Sequence, residues 1–184
     1  MKKAVFLDRD GTIIRDVIYL NDPTKIEIYP ESYEALKLLN DHGFLIVLAT
    51  NQSGVAKGIV DEKNVILINQ MIMDTYREQG IEIHDAYYCP HPVDGGCECR
   101  KPNAGMLKRG AEKFGIDLKQ SWMVGDRMSD VEAGIRAGSQ SILLQNDETP
   151  PIDPQYSPPK TICRDVLEAA KFIVEQSSKG SHAT

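Results

Sequence analysis

Asp8 and Asp10 stand two residues apart where the apolar run Ala4-Val5-Phe6-Leu7 breaks off, and Gly11-Thr12 follow them. In an extended chain, side chains at i and i+2 point the same way, so both carboxylates can face one site. Two like charges placed together repel, and a cation, a proton or a phosphoryl group has to offset them. An Asp-Gly pair is also an ordinary turn, so the choice rests on the rest of the chain. Read as chemistry, Asp8 is a nucleophile that attacks phosphorus to give an aspartyl-phosphate. Asp10 is the acid/base that protonates the leaving oxygen and then deprotonates the incoming water. Asp126, in Val124-Gly125-Asp126-Arg127, can join Asp8 in holding Mg²⁺, a hard cation that prefers carboxylate and phosphate oxygens; its plainer reading is a turn aspartate. Asp130 lies near the same place, but a residue just inside a helix start is equally explained by the helix dipole.

Two further segments suit a phosphorylated ligand. Thr50-Asn51-Gln52-Ser53-Gly54 offers hydroxyl, amide and backbone N–H donors of the kind that meet phosphate oxygens. Arg100-Lys101-Pro102 adds two cations: Lys101 can neutralise charge on a transferring phosphoryl group, and Arg100 can grip another oxygen with its fork. The plainer reading of that pair is solvated basic surface. Cys89, His91, Cys97 and Cys99 fall within eleven residues and make up a four-ligand set for tetrahedral Zn²⁺, with Asp94-Gly95-Gly96 to turn the loop back. Four protein ligands leave no open position, so such a zinc is structural. The rival reading is free thiols in a surface loop. Cys163 stands apart as a small core residue, and His42 and His84 have structural readings.

These residues need elements to carry them. Apolar runs at 3–7, 44–49, 85–89, 122–125 and 141–144 read as strands. Between them, helical spacing predicts helices over 31–42, from the N-cap Asp61 through 79, from Asn103 to Gly115, from a Ser129/Glu132 capping box to Gly138, and over 164–176. The proline-rich 150–159 reads as a loop, and 177–184 as a frayed tail. Continuous apolar strands alternating with amphipathic helices imply an α/β, Rossmann-like three-layer fold: a mostly parallel sheet flanked by helices, formed by a single domain over 1–176 with a zinc-stabilised loop. Ligands of such sheets sit at the carboxyl ends of the strands, which selects Asp8, Asp10, Thr50, Asn51 and Asp126. No insertion between the motifs is long enough for a separate cap domain.

Composition sets the class. The chain is 41% hydrophobic and 26% charged with a net charge of −6, a globular balance with no basic block for a nucleic-acid backbone. It has no membrane-length apolar stretch, and the apolar run after Met1-Lys2-Lys3 is too short for a secretory signal. The expected location is the cytoplasm, where cysteines serve metals or stay as thiols. The expected state is a monomer acting on a small phosphorylated metabolite, with neither nucleic acid nor membrane as partner.

From Val5 to about Leu144 the chain resembles the haloacid dehalogenase (HAD)-like phosphohydrolases. Their pattern of Asp-x-Asp-Gly-Thr, a Thr or Ser after the second strand, a Lys, and a late acidic motif is met by Asp8–Thr12, Thr50, Lys101 and Asp126. The resemblance implies Asp8 as nucleophile, Asp10 as acid/base, and Thr50 and Lys101 as phosphoryl stabilisers. It implies Mg²⁺ held by Asp8, the backbone carbonyl of Asp10, and Asp126. The zinc loop followed by Arg100-Lys101-Pro102 resembles the D-glycero-D-manno-heptose 1,7-bisphosphate 7-phosphatase group and the related histidinol-phosphate phosphatases. That resemblance implies substrate contacts at residues 16–19, above all Asp16 and Tyr19, and at Thr50, Asn51, Gln52, Ser53, Arg100, Lys101 and Arg127. The expected reaction is removal of the 7-phosphate on the route to nucleotide-activated heptose, with histidinol phosphate as the alternative substrate. A zinc-stabilised binding protein without catalysis conflicts with the intact Asp8/Asp10/Lys101/Asp126 set. A polynucleotide 3′-phosphatase, in which Thr50-Asn51-Gln52 also recurs, conflicts with the acidic charge.

Overall fold

Along β1 (Lys3–Leu7), Val5 and Leu7 enter one apolar layer while Ala4 and Phe6 enter another. The same period-two division continues through β2 (Phe44–Asn51), where Ile46 and Leu48 oppose Val47 and Ala49, and β4 (Trp122–Gly125), where Val124 opposes Met123. A sheet whose strands are apolar on both faces must be covered on both. The computed structural model describes residues 1–146, 149 and 151–180, and it shows that covering. On one face lie α1 (Pro30–Asp41), α2 (Glu62–Glu78) and α5 (Val166–Gly180), which bury Leu36, Ile68, Tyr76 and Ile173. On the other, α3 (Gly105–Phe114) buries Met106 and Leu107, and α4 (Met128–Ala137) packs Met128 and Val131 on Leu143.

With β3 (Asp85–Cys89), β5 (Gln140–Leu144) and β6 (Thr161–Cys163), the sheet runs β3-β2-β1-β4-β5-β6, and every pairing is parallel. The chain therefore winds outward from β1 to β3, returns to β4 at the other side of β1, and winds outward again. The crevice beyond β1 and β4 is the switch point where such sheets bind ligands. The register pairs Leu7 with Leu48 and with Val124, so the residues just past these strands converge there. Among the described residues, the stretch 8–29 after β1 carries the short 3-10 turn Pro23–Lys25 and isolated bridges of Ile14 with Asp10 and Ile28, and no cap stands over the crevice. No helix of the described residues is long and apolar enough to cross a membrane.

Several element boundaries differ from the expectation. β2 continues through Thr50 and Asn51, which pair with Tyr88 and Cys89. α3 starts at Gly105 rather than Asn103, because Asn103 is used in the preceding loop: its N–H donates to the Arg100 carbonyl and its amide to the Cys97 carbonyl, both at 2.8 Å. α4 is capped at Arg127, whose N–H donates to Asp130 Oδ2 at 3.0 Å, so the Ser129/Glu132 box does not form. β6 is an added strand, too short to show alternation in the sequence. α5 runs on to Gly180, four residues into the expected tail; 181–184, like Pro150 of the proline-rich loop, lie outside the described residues.

Leu7 is fully buried beneath the crevice, and a cavity left in β1 cannot be refilled by backbone shifts that six strands share. Leu7→Ala is expected to cost about 2–5 kcal/mol, seen in urea denaturation as a lower midpoint with an unchanged slope.

Candidate active site

Past β1 the backbone turns at once: the N–H groups of Thr12, Ile13 and Ile14 all point to the Arg9 carbonyl. Gly11 has φ +77°, and a Cβ there would lie 2.4 Å from Asp126 Oδ2. Glycine is needed both for the left-handed turn and to let Asp126 approach from the end of β4. A Cβ on Gly125 would likewise meet the Asp130 carboxylate at 2.2 Å. Between them the two glycines draw Asp8, Asp126 and Asp130 together, with one carboxylate oxygen of each lying within 4.8 Å of the others. All three side chains are buried.

Lys101 meets this cluster from the far side of the crevice. Its ammonium donates to Asp8 Oδ1 at 2.8 Å, Asp130 Oδ1 at 2.6 Å and the Ala49 carbonyl at 2.6 Å. Burial opposes the lysine's charge, but Asp130 and Asp8 more than offset it, and its pKa rises. Asp126 has no such partner. Its Oδ1 is buried without a hydrogen bond among the described residues, and burial together with Asp8 and Asp130 pushes its pKa up to about 8.

Asp10 belongs to a separate set. Arg9 reaches its carboxylate with Nε and Nη2, Gln52 Nε2 donates to Oδ2 at 2.9 Å, and Thr50 Oγ1 lies 3.4 Å from the same oxygen. Burial raises the pKa of Asp10 and Arg9 opposes the rise. The metal-type cluster thus contains Asp130, for which the sequence leaves a metal position and a helix-start role equally open, and does not contain the Asp10 carboxylate. The i, i+4 spacing of Asp126, just before the Arg127 cap, and Asp130, in the first turn of α4, is the signal the sequence carries.

A cleft of about 650 Å³ opens above these groups and is lined by all nine residues expected to contact substrate. They differ in what their side chains already hold. Asn51 pairs in both directions with the backbone of Lys101, Nδ2 to its carbonyl and Oδ1 from its N–H, each at 3.0 Å. Gln52 bridges Asp10 and Thr50. At the rim, Arg127 pairs with Asp16 at 3.1 Å, and the Tyr19 hydroxyl accepts from Lys57 at 2.6 Å. Arg100 Nη1 is buried with no hydrogen-bond partner among the described residues. Tyr156, from the β5–β6 loop, lines the cleft as well and had no signal in the sequence.

Beside the cleft, Cys89, His91, Cys97 and Cys99 come together. Sγ–Sγ distances are 3.6 Å for Cys89–Cys97 and 3.5 Å for Cys97–Cys99, and His91 Nδ1 lies 3.1 Å from Cys99 Sγ and 3.5 Å from Cys89 Sγ. Metal–sulfur bonds of about 2.3 Å in a tetrahedron put ligands about 3.8 Å apart, so this donor set fits zinc. Burial pushes the Cys89 thiol up to about 12, and a bound metal would reverse that cost by taking the thiolate. Cys163 is buried in the core at the end of β6. His42 and His84 make backbone contacts, to the Leu38 carbonyl and from the Ile46 N–H.

The sequence and fold have named counterparts. The chain is 38% identical to a D-glycero-alpha-D-manno-heptose-1,7-bisphosphate 7-phosphatase of Photorhabdus laumondii over 83% of its own length and 87% of the relative's. The chain belongs to this phosphatase family. The HAD-hydrolase-like family pattern matches residues 98–169. A D-glycero-beta-D-manno-heptose-1,7-bisphosphate 7-phosphatase of Pasteurella multocida is 34% identical, over 94% and 97% of the two chains. The crystal structure of a D,D-heptose 1,7-bisphosphate phosphatase from B. bronchiseptica, complexed with magnesium and phosphate, superposes with a TM-score of 0.82 at 28% identity, covering 95% of this chain and 99% of that one. The heptose-bisphosphatase relatives thus share nearly the whole of this HAD-like fold.

The raised pKa of Asp126 has a measurable sign. Between about pH 4, its ordinary value, and about pH 8 the folded protein keeps a proton that the unfolded chain has lost, so this group's contribution to stability falls as pH rises through that window. In metal-free buffer, Asp126→Asn should therefore gain stability relative to the unmodified protein as pH goes from 4 to 8, measured by urea denaturation at each pH.

Proposed function

We propose that the protein is a Mg²⁺-dependent phosphatase that removes the 7-phosphate of D-glycero-D-manno-heptose 1,7-bisphosphate through an aspartyl-phosphate on Asp8. The observation that carries this reading is the division of labour between two carboxylates. Asp8 is held by Lys101 beside Asp126 and Asp130, while Asp10 is held apart by Arg9, Gln52 and Thr50. The names of the relatives, and the magnesium and phosphate in the B. bronchiseptica enzyme, support it.

Asp8 attacks the 7-phosphorus in line, and the bond from phosphorus to the sugar oxygen breaks. Asp10, whose raised pKa suits it to carry a proton, gives that proton to the departing alkoxide. Water then attacks the aspartyl-phosphate. Asp10 takes its proton, and inorganic phosphate leaves with the Asp8 carboxylate restored. Lys101 and Thr50 stabilise the phosphoryl oxygens as charge develops.

Four buried or nearly buried carboxylates, Asp8, Asp10, Asp126 and Asp130, face two buried cations, Lys101 and Arg9. When all are ionised the site carries a net charge of −2, and with the orphaned Asp126 oxygen this fits a divalent cation. Asp8, the Asp10 carbonyl and Asp126, with Asp130 beside them, would hold Mg²⁺, which would supply charge compensation for the carboxylates and the phosphate. Zn²⁺ on Cys89, His91, Cys97 and Cys99 is structural. Arg100 and Arg127 grip the distal phosphate, with Asp16, Tyr19, Asn51, Gln52 and Ser53 around the sugar. Two rim arginines favour a second phosphate over the amine of histidinol phosphate.

Purified protein should release phosphate from the heptose bisphosphate in Mg²⁺, and Asp8→Asn should lower that rate by roughly 10³-fold or more; a variant as active as its parent would sink the nucleophile assignment. Histidinol phosphate should be turned over with a much lower kcat/KM, and the reverse preference would reassign the substrate. Metal analysis should find about one zinc per chain, with chelation lowering the thermal midpoint.

A further inference from the structure

Arg9 is sealed inside the molecule, at 1% exposure, although it is a charged side chain between the two aspartates. It does not line the cleft, and neither does Asn69, so Arg9 is not a substrate cation. All of its guanidinium nitrogens are engaged. Nε meets Asp10 Oδ2 at 3.1 Å, Nη2 meets Oδ1 at 3.2 Å and Oδ2 at 3.0 Å, and Nη1 donates to Asn69 Oδ1 at 2.9 Å. The fork of an arginine fixes the plane of the carboxylate it grips. Asn69 is buried on α2, sixty residues away in sequence, and it fixes the third corner of that fork to a helix. A neutral amide suits that corner, since a carboxylate there would add a fifth negative charge to the site and compete with Asp10 for Arg9.

We infer that Arg9 and Asn69 are positioning residues, a relay from α2 that holds the Asp10 carboxylate in the orientation for proton transfer. This rests on the reading of Asp10 as the acid/base. Gln52 and Thr50 contact Asp10 from residues that line the cleft, while Arg9 holds it from the interior, so the carboxylate cannot rotate without breaking buried bonds. Such a constraint matters because an error of about 1 Å in a reacting group costs on the order of 10²-fold in rate.

The leaving group separates this role from a merely structural one. A sugar alkoxide needs a proton as it departs, whereas the nitrophenolate of p-nitrophenyl phosphate leaves without one. In Mg²⁺, Asn69→Ala should lower kcat/KM for the heptose bisphosphate by about tenfold or more and that for p-nitrophenyl phosphate by less than about threefold. Arg9→Lys, which keeps the charge and loses the fork, should show the same selectivity; should it fail to fold, Asn69→Ala carries the comparison. Equal losses on both substrates, or no loss on either, overturn the positioning role. Asp10→Asn is the reference. Selectivity there without selectivity in Asn69→Ala removes the relay and leaves the acid/base reading intact, whereas no selectivity in Asp10→Asn removes both.

Discussion

Charge buried at the ends of β1 and β4 is the constraint on which the rest of the structure depends. A parallel sheet with apolar faces offers carboxylates no solvent, and four of them are nevertheless gathered past its central strands. Lys101 answers two of them directly and Arg9 answers one. Lys101 comes from 93 residues along the chain and Arg9 from between the two aspartates, and each cation has to be anchored, because removing one partner of a buried pair is far costlier than the pair is worth. Much of the surrounding architecture follows from that need. β2 is extended so that Asn51 can hold Lys101, α2 supplies Asn69 to Arg9, and the turn after β4 is closed by Asp130 on the Arg127 N–H.

The sequence made the architecture legible because the strands are continuous apolar runs and the helices alternate with them, a pattern with few solutions. The residues at the strand ends followed from topology, since a parallel sheet puts its polar chemistry at one edge. What could not be read was how side chains are shared. Thr50, Asn51 and Gln52 looked like three donors awaiting a ligand, and only their three-dimensional neighbours reveal that Asn51 and Gln52 are largely occupied by Lys101 and Asp10. Asp130 is indistinguishable in sequence from a helix-capping aspartate, because it is one: the same side chain caps α4 and pairs with Lys101. β6 has three residues, too few for any periodicity to appear.

The cleft accordingly has a fixed floor and a variable rim. The floor is tied by hydrogen bonds between strands and helices. The rim is made of three loops, carrying Tyr19, Arg100 and Tyr156. Changes of substrate among proteins with this floor can be made at the rim without disturbing the buried charges.

Asn51 joins the two regimes. Its amide fastens the backbone of Lys101 to the end of β2, and the adjoining Gln52 N–H is fastened to the carbonyl of Cys89. The cysteine loop, the lysine and the sheet edge are therefore spliced into one mechanical piece. Slack introduced at the cysteines is transmitted two residues along the chain to an ammonium that neutralises the centre of the site. A change at the cysteines thus bears on the charge balance of Asp8 and Asp130 as well as on the wall of the cleft.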